Sequence, residues 1–172
     1  GTNPEEERVQ KLKRRKFALK CLDPEQLNDD FTDSAIDLIM EAKLLSCLSH
    51  QNIVTLYAVT AGSVSKIFTK KGYFLLLDRL VGTLDDTLRH WSKHAKNIPP
   101  IRDRLQSVAL GIVAGCQYLH NQKIIFRDLK PSNVGFGSDG RIKIFDFGLA
   151  REVINDGKRM TGYTGSARYM AP

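Results

Sequence analysis

Ile124-Ile125-Phe126-Arg127-Asp128-Leu129-Lys130-Pro131-Ser132-Asn133 is the stretch on which the reading of this chain turns. An acid, an amine and an amide fall within six residues there, bounded on both sides by apolar runs. Pro131 removes a backbone donor, and the short polar side chains compete for backbone hydrogen bonds, so the segment suits neither a helix interior nor a strand. It reads as a rigid loop on a packed base, the kind of place where catalytic side chains are held. Downstream, Val134-Gly135-Phe136 and Arg141-Ile142-Lys143-Ile144-Phe145 flank Gly137-Ser138-Asp139-Gly140. Asp-Gly between two apolar runs predicts a hairpin. That hairpin would bring Asn133, before its first strand, close to Asp146, after its second. Two oxygen-bearing side chains would then face each other, a plausible pair for Mg²⁺.

Composition bounds what surrounds this loop. The chain has 172 residues, 42% of them hydrophobic, and a net charge of +7. That is globular rather than disordered, and long enough for one good core or part of a larger one. The longest apolar candidate for a membrane span, Tyr73 to Leu77, is cut by Asp78 and Arg79, well short of the roughly 18 residues required. No secretory signal is visible at Gly1-Thr2-Asn3-Pro4-Glu5. Cys21, Cys47 and Cys116 are widely spaced, odd in number and unlike zinc ligands, which points to reduced thiols and an intracellular protein, cytoplasmic or nuclear. Arg8, Lys11, Lys13, Arg14, Arg15 and Lys16 form a basic cluster. It reads either as an import or nucleic-acid patch or as a solvated turn, and the absence of interleaved aromatics favours the turn and argues against nucleic acid as a partner.

Upstream, Phe17, Ala18, Leu19 and Leu22 surround Lys20 in a predicted strand over 16–22. A lysine in such a run either meets an anion or reaches back to solvent along its own stem. A helix follows, with Thr32, Asp33 and Ser34 as candidate N-caps. Ile36, Ile39, Met40, Lys43, Leu44, Cys47 and Leu48 share helical spacing, while Glu41 interrupts an apolar side made by Leu38, Leu45 and Leu48. Ile53 to Val59 and Tyr73 to Leu80 read as strands, separated by a polar connection over 60–72. Leu84, Leu88 and Trp91 begin another helix. Pro99-Pro100 opens a long one, whose apolar face runs through Ile101, Leu105, Val108, Ala109, Ile112, Val113, Cys116 and Leu119. Gly111 and Gly115 in that helix predict close packing against another element.

Arg127-Asp128-Leu129-Lys130-Pro131-Ser132-Asn133 followed by Asp146-Phe147-Gly148 resembles the catalytic loop and metal-binding motif of eukaryotic protein kinases. Phe17-Ala18-Leu19-Lys20 is similar to that family's lysine-bearing strand, and Glu41 on the next helix to the lysine's partner. The resemblance implies an α+β, two-lobed fold, with a small β-rich lobe and hinge over about 13–80 and a mainly helical second lobe over 81–172. It implies ATP and Mg²⁺ as cofactors and a protein substrate. By the same resemblance Asp128 orients the substrate hydroxyl and Lys130 steadies the transferring phosphate. Asn133 and Asp146 hold the metal, Lys20 and Glu41 position the phosphates, and Ala18, Leu77, Asp78 and Leu80 surround the adenine. Lys130 and the segment Thr164-Gly165-Ser166-Ala167-Arg168-Tyr169-Met170-Ala171-Pro172 look like the serine/threonine type. Arg127 beside Asp128 suggests control by a phosphate on that segment, placed by an upstream kinase on Thr161 or Thr164 unless these are merely polar loop residues.

Two positions depart from the pattern. Phe126 stands where the family usually has histidine, stacked with Phe147, Leu45 and Leu56; it can fill the space, so Phe126→His is expected to leave activity within about tenfold. Gly135 stands where a large apolar residue usually floors the adenine site, so Gly135→Leu is expected to tighten ATP binding. No glycine-rich loop precedes Lys20, and Ala171-Pro172 falls just short of the glutamate that normally completes its motif. The expectation is therefore an incomplete kinase domain over 1–172, inactive and prone to aggregate by itself. A pseudokinase or scaffold is the alternative reading, and a basic nucleic-acid-binding module a third that rests on charge alone.

Overall fold

The structure is a computed structural model that describes residues 17–22, 31–63, 72–94, 98–153 and 164–170. The basic cluster at Arg8 to Lys16, most of the connection before Gly72, and Thr161 lie outside the described residues.

Three antiparallel strands make the first sheet, in the order β1 (Phe17–Lys20), β3 (Leu75–Asp78), β2 (Leu56–Val59). The central strand is the apolar Leu75-Leu76-Leu77, with Leu75 and Leu77 buried on one side, the alternation expected of a strand with one covered face. Strand β2 is shorter than the predicted run from Ile53. Ile53 instead makes an isolated parallel bridge with Ile144, and Val54 N–H donates to the Ile144 carbonyl at 2.9 Å. These residues leave the first sheet because they pair with the far half of the molecule.

Helix α1 (Phe31–Ser46) starts one residue ahead of the expected caps, so Thr32, Asp33 and Ser34 lie in its first turn. Of its two apolar stripes, the one carrying the acid is packed: Ala35, Leu38, Glu41, Ala42, Leu45 and, just past the helix end, Leu48 are buried. Ile36 and Ile39 are 49% and 45% exposed. The choice follows from Glu41, which meets the Lys20 ammonium inside.

Strand β4 (Gly82–Thr83) leads directly into α2 (Leu84–Lys93), closed by a capping box in which the Thr83 hydroxyl accepts from Asp86 N–H and the Asp86 carboxylate accepts from Thr83 N–H. The predicted long helix is interrupted: α3 (Ile101–Arg104) and α4 (Leu110–Asn121) are joined by a π-helical turn over Leu105–Ala109. Its predicted face is also split, because Leu119 is buried while Val113 is 61% exposed. The glycines do allow a close approach. A Cβ on Gly111 would stand 2.5 Å from Ile142 Cγ1, and one on Gly115 would stand 2.9 Å from Ile144 Cδ1.

The strand against them is β7 (Ile142–Ile144), which pairs with β6 (Val134–Phe136) in the predicted hairpin. Gly140, at φ +77°, supplies the left-handed turn residue. Strand β4 adds to the outer side of β6, giving the order β4-β6-β7, and β5 (Ile124–Ile125) pairs with β8 (Arg151–Glu152) beneath the loop. One apolar cluster joins the halves, running from Leu38 and Leu45 through Leu75 and Leu77 to Phe126, Ile144 and Phe147.

Candidate active site

The loop after β5 is held from below. Phe126 is buried and meets Phe147 edge to face, ring centroids 5.0 Å apart, with Leu45 and Leu56 in the same apolar cluster. The phenyl ring thus fills the position for which the sequence suggested it. Arg127 and Asp146 both adopt φ +68°, unusual for residues with a side chain and characteristic of backbone held by its surroundings at a working site. Arg127 Nε donates to the Leu149 carbonyl at 2.7 Å, which fixes the loop to the segment after β7.

Asp128 is the centre of a compact polar cluster. Its Oδ2 lies 2.7 Å from Lys130 Nζ and accepts from Asn133 Nδ2 at 2.9 Å. Its Oδ1 accepts from both the backbone N–H and the hydroxyl of Ser166, at 3.0 and 2.8 Å. Lys130 Nζ also donates to Ser166 Oγ at 3.0 Å. Burial pushes the Asp128 carboxyl up, but the hydrogen bonds from Lys130 and Ser166, with the lysine's charge, outweigh it and hold the group below the usual carboxylate range. Asp128 is therefore an anion at neutral pH, aimed at a hydroxyl. Ser166 was not singled out from the sequence. Its signal was the small hydroxyl after Gly165, whose φ of +112° lets the backbone lie against the Arg127 carbonyl oxygen, where a Cβ would collide.

A second cluster lies across the cleft. Lys20 Nζ is 2.6 Å from Glu41 Oε2 and 2.6 Å from Asp146 Oδ1. Glu41 is 1% exposed, and its other oxygen accepts from Phe147 N–H at 3.1 Å. Burial works to lower the Lys20 pKa, yet the two carboxylates more than compensate and raise it. Lys20 meets anions; it does not reach back to solvent. One cation thus ties β1, α1 and the residue after β7 together.

Beside this second cluster opens a cleft of about 420 Å³, lined by apolar groups from Ala18, Val54, Leu77, Leu80 and Phe145, with Lys20, Glu41 and Asp146 at its polar end. The sequence pointed to Ala18, Leu77, Asp78 and Leu80 here, and all four line it. Val54 and Phe145 were missed because each was read as an ordinary member of a strand. The Asp78 side chain turns away from the cleft. Its carboxylate accepts from Thr55 N–H and Tyr57 Oη and pairs with Lys143 Nζ at 3.0 Å.

The expectation for Gly135 is corrected. A Cβ at Gly135 would stand 2.5 Å from Leu80 Cδ1 and 3.2 Å from the Gly82 carbonyl oxygen. The space the glycine leaves is already taken by Leu80, so Gly135→Leu would crowd the site instead of tightening it.

Asn133 and Asp146 are near neighbours through the backbone, Phe145 N–H donating to the Asn133 carbonyl at 3.0 Å. Asn133 spends its amide N–H₂ on Asp128, which leaves the amide oxygen as its other polar end, and Asp146 is 47% exposed beside the cleft. One carboxylate and one amide oxygen suit Mg²⁺, a hard ion that takes few protein ligands and completes its shell with phosphate and water. Among the described residues no group of three His, Cys, Asp or Glu side chains is placed to hold a metal.

The sequence pattern of the protein kinase domain matches residues 6–172. The chain belongs to the protein kinase family. This kinase chain is 33% identical over 138 residues to the serine/threonine-protein kinase SSN3 of Pyricularia oryzae, covering 78% of the chain and 26% of that protein. It is 35% identical over 136 residues to the mitogen-activated protein kinase pmk-1 of Caenorhabditis elegans, covering 77% and 32%. The kinase chain therefore spans a third or less of the length of these relatives. Its fold matches a chain of the yeast RNA Pol II CTD kinase CTDK-1 complex with a TM-score of 0.63 and 27% identity, over 84% of this chain and 42% of the other. The protein kinase fold is two-lobed and α+β, as expected, and protein kinases as a family use ATP and Mg²⁺ on protein substrates.

Proposed function

We propose that this chain carries the catalytic centre of a serine/threonine protein kinase, which transfers the γ-phosphate of ATP to protein hydroxyls. The observation that carries the reading is Ser166, an aliphatic hydroxyl held between Asp128 and Lys130 as an acceptor hydroxyl would be. Asp128 orients the incoming hydroxyl and takes up its proton, while Lys130 offsets charge on the transferring group. ATP fits the cleft with its base among Ala18, Leu77 and Leu80 and its phosphates toward Lys20, which Glu41 holds in place. Asn133 and Asp146 would hold Mg²⁺, whose role is to neutralise phosphate charge.

The test is Mg²⁺-dependent transfer of labelled γ-phosphate to a generic protein substrate by the full-length gene product, beside Asp128→Asn. Transfer that falls by at least a hundredfold in the variant supports the reading. A folded, phosphorylated protein without transfer would point to a scaffold.

Regulation by an upstream kinase fits the same site. Burial and the neighbouring Arg151 lower the Arg127 pKa, with Asp37 compensating only in part, so these guanidiniums would welcome an anion. We expect mass spectrometry of the active protein to find phosphate on Thr161 or Thr164; neither carrying it would remove this element of the proposal.

A further inference from the structure

The nucleotide cleft has an unusual construction on the side facing the second lobe. Gly135, in the middle of β6, is buried and offers no side chain to it. Leu80 does, and it lines the cleft. The two are locked together. The Gly135 Cβ position is 2.5 Å from Leu80 Cδ1 and 3.3 Å from Leu80 Cβ, so the leucine lies directly over the glycine. The residues after Leu80 are pinned to the same strand: Val81 N–H donates to the Phe136 carbonyl at 2.8 Å, and Thr83 pairs in register with Gly135. The ladder thus fixes the backbone just after Leu80 to the strand that carries Gly135.

We infer that the Leu80 side chain is the floor of the nucleotide cleft and sets the fit of the base, with Gly135 as its seat. This rests on the reading of the cleft as a nucleotide site. The floor is then supplied by the connection between the lobes, and not by the hairpin of the second lobe. The contacts to the edge of the base and to its face come from one short run, Asp78 to Leu80. Either partner can hold the side chain, but both cannot, because two leucines do not fit where one already meets the Cβ position. This yields a reciprocal dependence that a merely structural role for Leu80 would not produce.

Calorimetry of Mg²⁺–ADP with the full-length protein tests it, using the parent, Leu80→Ala, Gly135→Leu and the double variant, with thermal melts read in parallel. Leu80→Ala is expected to weaken binding by about sixtyfold, from the loss of three apolar carbons. Gly135→Leu alone is expected to weaken it too, through overpacking. The double variant, with the leucine moved to the strand, is expected to recover to within about threefold of the parent, a volume-conserving exchange. Leu80→Val keeps a folded, apolar connection and is expected to lose about fourfold, in proportion to the one methylene removed. If Leu80→Ala and Leu80→Val bind like the parent, or if the double variant binds no better than Leu80→Ala, the inference is overturned while the nucleotide reading stands. A folded parent that binds no adenine nucleotide overturns both.

Discussion

Phe126 shows how much a single side chain in this site is asked to do. Its ring supports the loop by filling space against Phe147, a contact that depends on shape and on aromatic edge-to-face geometry, with no hydrogen bond of its own. An imidazole has similar breadth and could occupy the same space. Phe126→His is accordingly expected to change phosphoryl transfer by less than about tenfold, close to 1.4 kcal/mol of barrier. Steady-state rates at saturating ATP measure this directly. A loss of a hundredfold or more would mean that the ring's apolar character, not its volume, holds Asp128 in place. Asp128 has a different dependence, because its carboxylate is kept anionic by Lys130 and Ser166 together.

At the scale of elements, the junction between the sheets turns on Asp78 at the end of β3. Burial raises its carboxyl pKa, but the bonds from Tyr57, Lys143 and Thr55 bring it below the ordinary range. A depressed folded-state value contributes stability that is present above the unfolded-state pKa and lost as pH falls through the folded one. Lys143→Met leaves this half-buried carboxylate without its cation, and is expected to cost about 2 kcal/mol in urea unfolding near neutral pH. Acid unfolding of that variant should begin at a higher pH than in the parent. Equal acid midpoints would show that Tyr57 and Thr55 suffice. Little of this junction was legible in the sequence, where Asp78 and Lys143 are 65 residues apart and each sits in a run that reads simply as strand. The hairpin from Val134 to Ile144 was legible, because Asp139-Gly140 fixes its turn locally. Helix α1 was half legible: periodicity offered two stripes, and only the lysine on a distant strand decides that the stripe with Glu41 goes inside. Leu80 over Gly135 was not legible at all, since a missing side chain does not announce which neighbour replaces it.

On the scale of the whole molecule, and besides the Asp78–Lys143 pair, three connections between the first sheet and the second lobe stand out among the described residues. The chain crosses once between β3 and β4, the segment Asn52 to Val54 pairs with β7, and Lys20 reaches Asp146. The first two are made of backbone and are permanent while the fold persists. The third consists of one ammonium and one half-exposed carboxylate, side-chain groups that can part without breaking a backbone hydrogen bond. This gives Lys20 a distinctive reactivity. With its pKa raised by Glu41 and Asp146, it spends less time as the free amine than a solvated lysine does, and only the free amine attacks an acylating reagent. In mildly alkaline buffer, an amine-reactive ester should modify exposed lysines first and Lys20 late, and Glu41→Gln should advance Lys20 in that order. Early modification in the parent would mean that the ammonium is not held as described. The labelling rate at one nitrogen atom would thus report how firmly the two lobes are shut.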